Sequence, residues 1–389
     1  MRLFLLEPAT PGAAWAPFSA VRPLAELRAG IWKVRERWEA AFDLDTTAIA
    51  GGPAPDFHEG FEPPIVLADA ITGPAVVGSS CFAPSGAPVL LAPGTRRLTQ
   101  DGATVGWVLP PGAFWRGPTE QGPGHEVEGR FLHGTHDLIT ALEQFLGSDC
   151  LGFAAGESDP VPSGSIVLGD PALVFCRGAL VEPGVVFDTR GGAVVLEAGV
   201  EVRHGSRLEG PLYVGEKSRL LGGHIRASAF GPRCSVKGEI SSSVFLGYSN
   251  KSHDGFVGHS VVGHWVNLGA GTTTSNLKNT YGEVSLEIAG ERIATRRQFL
   301  GTLFGDHAKT AIGTMLSTGT VIGAGANVFG PGGVPKYVPP MAWGSDGRVR
   351  MTEEGFLKVA ERVLPRRDVA FTPERRASLA ATYRRLSRP

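Results

Sequence analysis

Cysteine is scarce in this 389-residue chain, and its scarcity limits the kinds of site that the chain can hold. The four cysteines lie far apart and form no Cys-x-x-Cys pair: Cys81, Cys150, Cys176 and Cys234. This spacing argues against a disulfide framework and against a zinc ribbon. It fits a reducing compartment, so we expect a cytoplasmic protein.

The sequence also lacks a long apolar run and an excess of charge of either sign. The opening segment, MRLFLLEPATPG, has too short an apolar part for a signal peptide, and no stretch reaches the ~18 apolar residues of a bilayer span. The 37 basic and 38 acidic residues nearly cancel, whereas a nucleic-acid-binding domain is usually basic. We therefore expect neither a membrane nor a nucleic acid as a partner.

Glycine is abundant, with 54 residues, and several glycines follow an aliphatic residue at a short, regular spacing. Between Ile240 and Thr274, three such pairs recur every five or six residues: Val257-Gly258, Val262-Gly263 and Leu268-Gly269. Further runs have aliphatic residues six apart: Leu168, Val174, Leu180 and Val186; Leu196, Val202, Leu208, Val214 and Leu220; Leu316, Ile322 and Val328. The period predicts a parallel β-helix from about 160 to 333, because each turn of a stacked coil buries one aliphatic side chain in the interior. A β-sandwich would show period two and Asn-Gly turns instead.

The segment before the repeat, residues 1–158, predicts an α/β domain. Leu3 to Leu6 forms a short apolar strand that ends at a Pro/Gly-rich loop, and FSAVRPLAELRAGIWKVRERWEAAF then has apolar residues at helical spacing. A second helix is expected from Leu138 to Leu146. Four further strands are expected: Ile65–Leu67, Ala75–Val77, Val89–Leu91 and Val105–Leu109.

Two segments interrupt or follow the β-helix of residues 159–345. An insertion at about 280–303 alternates like a hairpin and carries Arg292, Arg296 and Arg297, so we expect an arm that embraces a neighbouring subunit. Residues 346–389 predict two helices, Phe356 to Leu364 and Arg375 to Leu386. This basic tail is expected to lie over a coenzyme entrance or to cap the open end of the solenoid.

Two groups of motifs resemble known enzymes. Arg22-Pro23, Arg28-Ala29-Gly30 and Arg35-Glu36-Arg37-Trp38 resemble the N-terminal signature of a divergent family of sugar nucleotidyltransferases. The stretch from Asn250 to Val284 is similar to the same family, and more distantly to the acetyltransferase half of bifunctional N-acetylglucosamine-1-phosphate uridyltransferase/glucosamine-1-phosphate acetyltransferases. The resemblance implies a left-handed β-helix, a homotrimer with clefts between subunits, acetyl-CoA as co-substrate, and a sugar phosphate or nucleotide sugar as substrate.

The same resemblance implies roles for particular side chains. His253 aligns with the catalytic base of the acetyltransferase family, and Phe256 falls where that family has a tyrosine. Asn267 matches a sugar-binding asparagine and Asn276 a residue on the coenzyme side. For both asparagines, a stabilising ladder between coils is the alternative. Further contacts are expected from Asn250 and Lys251 with the substrate, and from Lys309 and Arg296 with a coenzyme phosphate.

The N-terminal segment departs from the usual nucleotidyltransferase pattern. The glycine-rich phosphate loop is replaced by Pro11-Gly12-Ala13-Ala14-Trp15. An arginine can still clamp a phosphate, so Arg22 and Arg28 are candidate substrate contacts, with exposed cations at a helix start as the alternative. Asp69 is a candidate ligand of Mg²⁺, or else a simple cap.

Three functions remain open at this point. The first is acyl transfer from coenzyme A to an amino sugar by the β-helix, with a nucleotidyltransferase-like N-terminal domain. The second is a trimeric scaffold without catalysis. The third is a zinc enzyme resembling the γ-class carbonic anhydrases, in which His224, His259 and His264 on coils of neighbouring chains would be the ligands.

Overall fold

The computed structural model describes residues 1–51, 62–154 and 158–387, in which an N-terminal α/β unit packs against a long parallel β-helix. Two short helices follow the last coil. The predicted fold class is confirmed in this architecture. In the part of the chain that the structure describes, no helix is long and apolar enough to cross a bilayer.

The N-terminal unit is built on a seven-stranded mixed sheet. The strands are β1 (Arg2–Glu7), β2 (Thr46–Gly51), β3 (Ile65–Val66), β4 (Ala75–Ser79), β5 (Arg97–Gln100), β6 (Ala103–Leu109) and β7 (Gly124–Glu126). Their order across the sheet is β7-β5-β6-β4-β1-β2-β3; β6 is antiparallel to its neighbours β4 and β5, and all other neighbours are parallel. Helices α1 (Val34–Phe42) and α2 (Asp137–Ala154) complete the unit.

The first helix is shorter than the apolar spacing predicts. Its first half folds instead as a 3-10 turn, Leu24–Glu26, and a small hairpin of Arg28–Ala29 with Trp32–Lys33. Gly30 turns this hairpin with φ +79°, a conformation that an α-helix does not contain. Val89–Leu91 is likewise a loop rather than a strand.

The β-helix consists of three parallel sheets, which we call the first, second and third sheets. The first contains Ile166–Leu168, Val186–Asp188, Ser206–Glu209, Gly223–Arg226, Glu239–Ser241 and Phe256–Gly258. The second contains Val174–Cys176, Val194–Leu196, Leu212–Val214, Ala229–Phe230, Val244–Phe245, Val261–Val262, Leu303–Phe304, Val321–Ile322 and Tyr337–Val338. The third contains Leu180–Val181, Glu201–Val202, Arg219–Leu220, Ser235–Val236, Asn250–Lys251, Asn267–Leu268, Lys309–Thr310 and Asn327–Val328.

The N-terminal unit covers the outer face of the second sheet. Leu138 and Leu142 of α2 share one buried cluster with outward-facing residues of that sheet, including Val195, Val244 and Val261. Separate apolar residues fill the interior of the prism, among them the predicted runs from Leu196 to Leu220 and from Leu316 to Val328. The first predicted run is wrong at three of its four positions, because Val167, Val181 and Phe187 pack into the interior instead of their neighbours Leu168, Leu180 and Val186. The site of interest must therefore be sought on the first and third sheets and at their corners.

The predicted hairpin arm is present as strands Val284–Ile288 and Glu291–Arg297. Its apolar residues Leu286 and Ile288 are buried in the same cluster as α2. Arg297 also bonds to Thr140 and Glu143 of α2. The arm therefore packs within its own chain, contrary to the expectation that it embraces a neighbouring subunit.

The tail forms helices α3 (Glu353–Val363) and α4 (Pro373–Leu386). Thr352 and Thr372 cap them by accepting backbone N–H groups through their hydroxyl oxygens. The helices pack beside the corner between the second and third sheets, where Trp265 and Met341 lie in their apolar cluster.

Candidate functional site

One coil, from Asn250 to Trp265, carries three histidines at three different corners of the prism. His253 lies between the third and first sheets, His259 between the first and second, and His264 between the second and third. The N-terminal unit or the tail packs near the last two corners, and His264 is only 3% exposed. His253 is exposed. Among the three, His253 has the setting that a base acting on a diffusing substrate requires.

Lys251, a predicted substrate contact, lies inside the prism. It occupies an inward position in register with Val236, and its side chain is fully buried. Its ammonium donates to the main-chain carbonyls of His253 and Asp254. Burial lowers the pKa of Lys251 to about 8. The prediction of a substrate contact is therefore replaced by an internal role: Lys251 holds the corner that presents His253.

Three of the predicted site residues, Asn250, Asn267 and Lys309, line one cavity of about 260 Å³ on the third sheet. They follow one another in register on successive coils. The amide of Asn250 donates to the side-chain oxygen of Asn267 over 2.8 Å. The tail supplies the opposite wall through Arg366 and Arg367. Tyr248 and Trp265 form the aromatic side of this cavity, which we call the third-sheet pocket.

The third-sheet pocket is electropositive. Burial lowers the pKa of Lys309 to about 8, and its ammonium donates to the His307 carbonyl over 2.9 Å. The guanidinium of Arg367 donates to the Ser235 hydroxyl at 3.3 Å, whereas its buried Nε has no hydrogen-bond partner in the described residues. The guanidinium groups of Arg366 and Arg367 beside Lys309 suit an anionic group such as a phosphate.

Phe256, on the first sheet, and Asn276, which follows the strand Thr273–Thr274, lie together away from this pocket. Both side chains lie close to Gly258, where a Cβ would push the Phe256 ring and the Asn276 amide aside. The Asn276 amide donates to Nδ1 of His259 over 2.9 Å, and Phe299 stacks on the imidazole. Burial lowers the pKa of His259 to about 4, which keeps this ring neutral.

The three histidines of the zinc hypothesis do not converge. His264 is enclosed, His259 bonds to Asn276, and His224 lies beside Glu209 with Nε2 at 2.9 Å from the carboxylate. Within residues 1–51, 62–154 and 158–387, no three histidine, cysteine or acidic side chains form a group able to hold a metal ion. The hypothesis placed zinc between neighbouring chains, and the enclosure of His264 together with the bond of His259 to Asn276 leaves these two imidazoles poorly placed for such a shared ion.

The two arginines predicted to clamp a substrate phosphate are both buried and engaged within the protein. Nε and Nη2 of Arg22 both donate to Oδ2 of Asp306 in the β-helix, at 2.8 and 2.6 Å. Arg28 donates to the main-chain carbonyls of Ile31 and Leu246. They connect the N-terminal unit to the β-helix, because Asp306 and Leu246 belong to coils beneath that unit.

Two other predicted residues lie on the surface. Asp69 is exposed in the 3-10 turn Ala68–Ala70, and Arg296 is exposed on the arm. Neither lines the third-sheet pocket. By contrast, Tyr248, Trp265, Arg366 and Arg367 do line it, and the sequence carried no signal for them beyond the basic character of the tail.

Comparisons with known proteins find similarity to the same families that the sequence motifs resemble. Residues 8–51 match a family of sugar nucleotidyl transferases. A bifunctional sugar-1-phosphate nucleotidylyltransferase/acetyltransferase of Sulfurisphaera tokodaii is 38% identical over 96 residues, 25% of this chain and 24% of that protein. Proteins named bifunctional protein GlmU from Methanococcus vannielii and Methanocaldococcus jannaschii are 34% and 30% identical over 86 residues, 22% of this chain.

The matched stretch spans about a quarter of the Sulfurisphaera protein and about a fifth of the two methanogen proteins. Over these stretches the chain is similar to sugar nucleotidyl transferases and to bifunctional nucleotidylyltransferase/acetyltransferases, which confirms the resemblance predicted from the sequence.

Proposed function

We propose that this protein is a transferase of sugar-nucleotide biosynthesis whose β-helix moves an acyl group from a coenzyme A thioester to an amino sugar. The observation that carries this proposal is the convergence of Asn250, Asn267 and Lys309 with two tail arginines in the third-sheet pocket. The relatives named as acetyltransferases support the same reaction class. The acceptor is an amino sugar that bears a phosphate or a nucleotide.

The reaction requires one base and one set of hydrogen-bond donors. The acceptor ammonium loses a proton to His253, and the free amine then attacks the thioester carbonyl carbon. A C–N bond forms while the carbonyl oxygen becomes an oxyanion, which donors must stabilise. The C–S bond then breaks, and the nitrogen loses a second proton. The coenzyme sulfur takes up this proton and leaves as a thiol.

The third-sheet pocket suits the anionic parts of the two substrates. Arg366 and Arg367 present guanidinium groups that match a phosphate. The amides of Asn250 and Asn267 suit hydroxyl groups of a sugar. Lys251 holds the His253 corner from inside the prism and takes no direct part.

For Mg²⁺, the predicted ligand Asp69 is exposed and does not belong to a group of three metal-ligating side chains among the described residues. We therefore derive no step through this ion. The burial of Arg22 and Arg28 favours a non-catalytic N-terminal unit, which is the part of the chain to which the scaffold hypothesis best applies.

We also propose a cytoplasmic homotrimer. The second sheet is covered by the N-terminal unit, so neighbouring copies would meet through the first and third sheets. His253 lies at the corner that these two sheets share. Exposed Ile312 and Met315, at 80% and 66%, lie near the same corner two coils further on and would be covered by a second copy.

A binding experiment tests the use of the third-sheet pocket. Arg367→Gln is expected to weaken acetyl-CoA binding roughly tenfold, because one charge-assisted hydrogen bond to a phosphate is lost. Arg362→Gln, an exposed arginine on α3 outside the pocket, is the matched control. Equal affinities of wild type, Arg366→Gln and Arg367→Gln would place the coenzyme elsewhere.

A further inference from the structure

The end of β1, where α/β proteins commonly bind phosphate, is filled by the protein itself. The carboxylate of Glu7 accepts the backbone N–H groups of Leu24 and Ala25, at 2.8 and 3.0 Å. Glu7 is buried, and burial raises the pKa of its carboxyl to about 7. The N–H groups that an incoming phosphate would need are therefore already used.

A larger cavity, of about 550 Å³, opens on the opposite half of the same sheet. It surrounds the last three residues of β6 and the loop that follows, from Phe114 to Gly122. Leu109 pairs with Ala75, which pairs with Arg2 at the start of β1. The cavity, which we call the β6 pocket, thus lies toward the end of β1 that is opposite Glu7.

The β6 pocket has aromatic walls. Trp107 and Trp115 meet edge to face, with ring centroids 5.2 Å apart, and Phe114 beside them is 66% exposed. The two tryptophans belong to the face of the sheet that carries Phe4 and Val77, opposite the face packed against the helices. Flat aromatic rings of this kind are surfaces on which a ligand ring stacks.

The loop that completes the β6 pocket is held in place. The indole nitrogen of Trp107 donates to the Thr119 carbonyl over 2.9 Å. The backbone N–H of Trp115 donates to the Ile71 carbonyl over 3.1 Å. Such anchoring preserves the cavity in the free protein, so a ligand would not have to order the loop.

The β6 pocket is also positively charged. Arg96 and Arg116 line it and are exposed, and no carboxylate in the described ranges pairs with either of them. The nearby Glu120 is paired with Arg97 instead, at 3.0 Å. Two guanidinium groups beside stacked aromatic rings match an anion that carries a flat ring.

We propose that the β6 pocket binds a nucleoside phosphate, with the base against Phe114 and Trp115 and the phosphate against Arg96 and Arg116. The cavity is in the size range of small-ligand sites. No carboxylate, histidine, cysteine or lysine is among the described residues that line it, so the proposal is one of binding without turnover. The site is separate from the third-sheet pocket and does not depend on the acyl transfer proposed above.

Binding is measured by titration calorimetry and by tryptophan fluorescence, with the four common nucleoside 5′-diphosphates as ligands. At least one diphosphate is expected to bind and to quench fluorescence, whereas the matching nucleoside and inorganic pyrophosphate each bind more weakly. Arg116→Ala is expected to weaken binding roughly tenfold or more, as is Trp115→Ala. Arg348→Ala, at an exposed arginine far along the chain, should leave the affinity unchanged.

The outcomes separate the two proposals. Acetyl-CoA-dependent thiol release should be the same in wild type and Arg116→Ala. If no diphosphate binds, or if Arg116→Ala and Trp115→Ala both bind like wild type, the β6 pocket is not a nucleotide site. If Arg367→Gln abolishes diphosphate binding instead, the ligand occupies the third-sheet pocket and the inference is wrong.

Discussion

The Asn250 amide donates to the Asn267 side-chain oxygen over 2.8 Å, and this bond joins two successive coils along the wall of the third-sheet pocket. This is the ladder contact that was the alternative for Asn267, and because the same residues line a cavity, the sugar-binding role stays a prediction. Asn267 is exposed, so part of its hydrogen-bonding capacity is available to a ligand.

Asn267→Ala is expected to raise the KM for the amino-sugar acceptor about tenfold, because one hydrogen bond to the substrate is lost. The effect on stability should be small, since the residue is exposed. Asn327→Ala is the matched control, because Asn327 continues the same column outside the pocket. Equal KM values for both variants would show that Asn267 serves only the ladder.

The ion pair of Arg22 with Asp306 links the two halves of the molecule, and its side chains are only 1% and 2% exposed. Arg22→Gln should destabilise the fold by roughly 3–5 kcal/mol, because it leaves a buried carboxylate without its partner. Arg22→Gln with Asp306→Asn should cost less than the sum of the single changes. Chemical denaturation measures all three.

The exposed pair of Arg376 with Glu354 provides the control for this cycle, with side chains 43% and 57% exposed. Arg376→Gln should change the free energy of unfolding by about 0.5 kcal/mol or less. A cost for Arg22→Gln no larger than this would contradict the role of Arg22 as the link between the halves.

Lys251 predicts a pH dependence of stability on the alkaline side. Its pKa is lowered from the ordinary 10.5 to about 8 by burial, so the unfolded chain binds the proton more tightly. Between these pH values the unfolded state holds more protons, and stability rises with pH. Wild type should therefore gain stability relative to Lys251→Met as pH rises from about 8 toward 10.5. A constant difference would show that the ammonium is not desolvated.

His307 predicts that the stability of the protein depends on pH on the acid side. Both nitrogens of its buried ring have no hydrogen-bond partner in the described residues, and the ring lies against Trp265 and Phe356 of α3. Burial first, then the charge of Lys309, holds its pKa well below the usual 6.5. Stability should be lost as pH falls below about 6.5, because only the unfolded chain takes up the proton.

The variant His307→Phe should remove this acid sensitivity and keep the tail docked. Thermal unfolding of both proteins between pH 5 and pH 8, at roughly one-unit intervals, measures the difference. The gap in melting temperature should widen as pH falls. If it is constant, His307 is not the titrating group beneath the tail.

The β-helix was predictable because its signal is local and repeated. Most residues of the series occupy inward positions on their coils, as Val202 and Leu220 do in the third sheet, whereas Leu180 of the first run is 68% exposed. The six-residue period therefore indicates both where the chain turns and which residues are buried in the interior. The left hand of the winding and the trimer were taken from the resemblance, and they stay predictions.

The N-terminal helix was only half predictable. Leu24, Leu27 and Ile31 have helical spacing, but a longer-range interaction overrides it. Asp149, on α2, accepts the N–H of Ile31 and pairs with Arg37, which holds the small hairpin against α2. A spacing rule considers neighbours along the chain, whereas this partner lies 118 residues away from Ile31.

The candidate functional site shows the same limit of prediction from local sequence patterns. Asn250 and Asn267 point outward on coils that the repeat had already defined and both line the third-sheet pocket, so their substrate roles stay predictions. Lys251 is the next residue and points inward, so its assignment as a substrate contact did not hold. Arg22 was misassigned because its partner, Asp306, is 284 residues away.

The central claim is that His253, exposed at the corner between the first and third sheets, is the base of an acyl transfer. The most direct measurement is the release of free thiol from acetyl-CoA in the presence of amino sugar phosphates and amino-sugar nucleotides. Wild type should release thiol with one of them, and His253→Ala should bind both substrates normally yet react about 100-fold or more slowly. Absence of thiol release across the panel, or equal rates for the two proteins, would contradict the account.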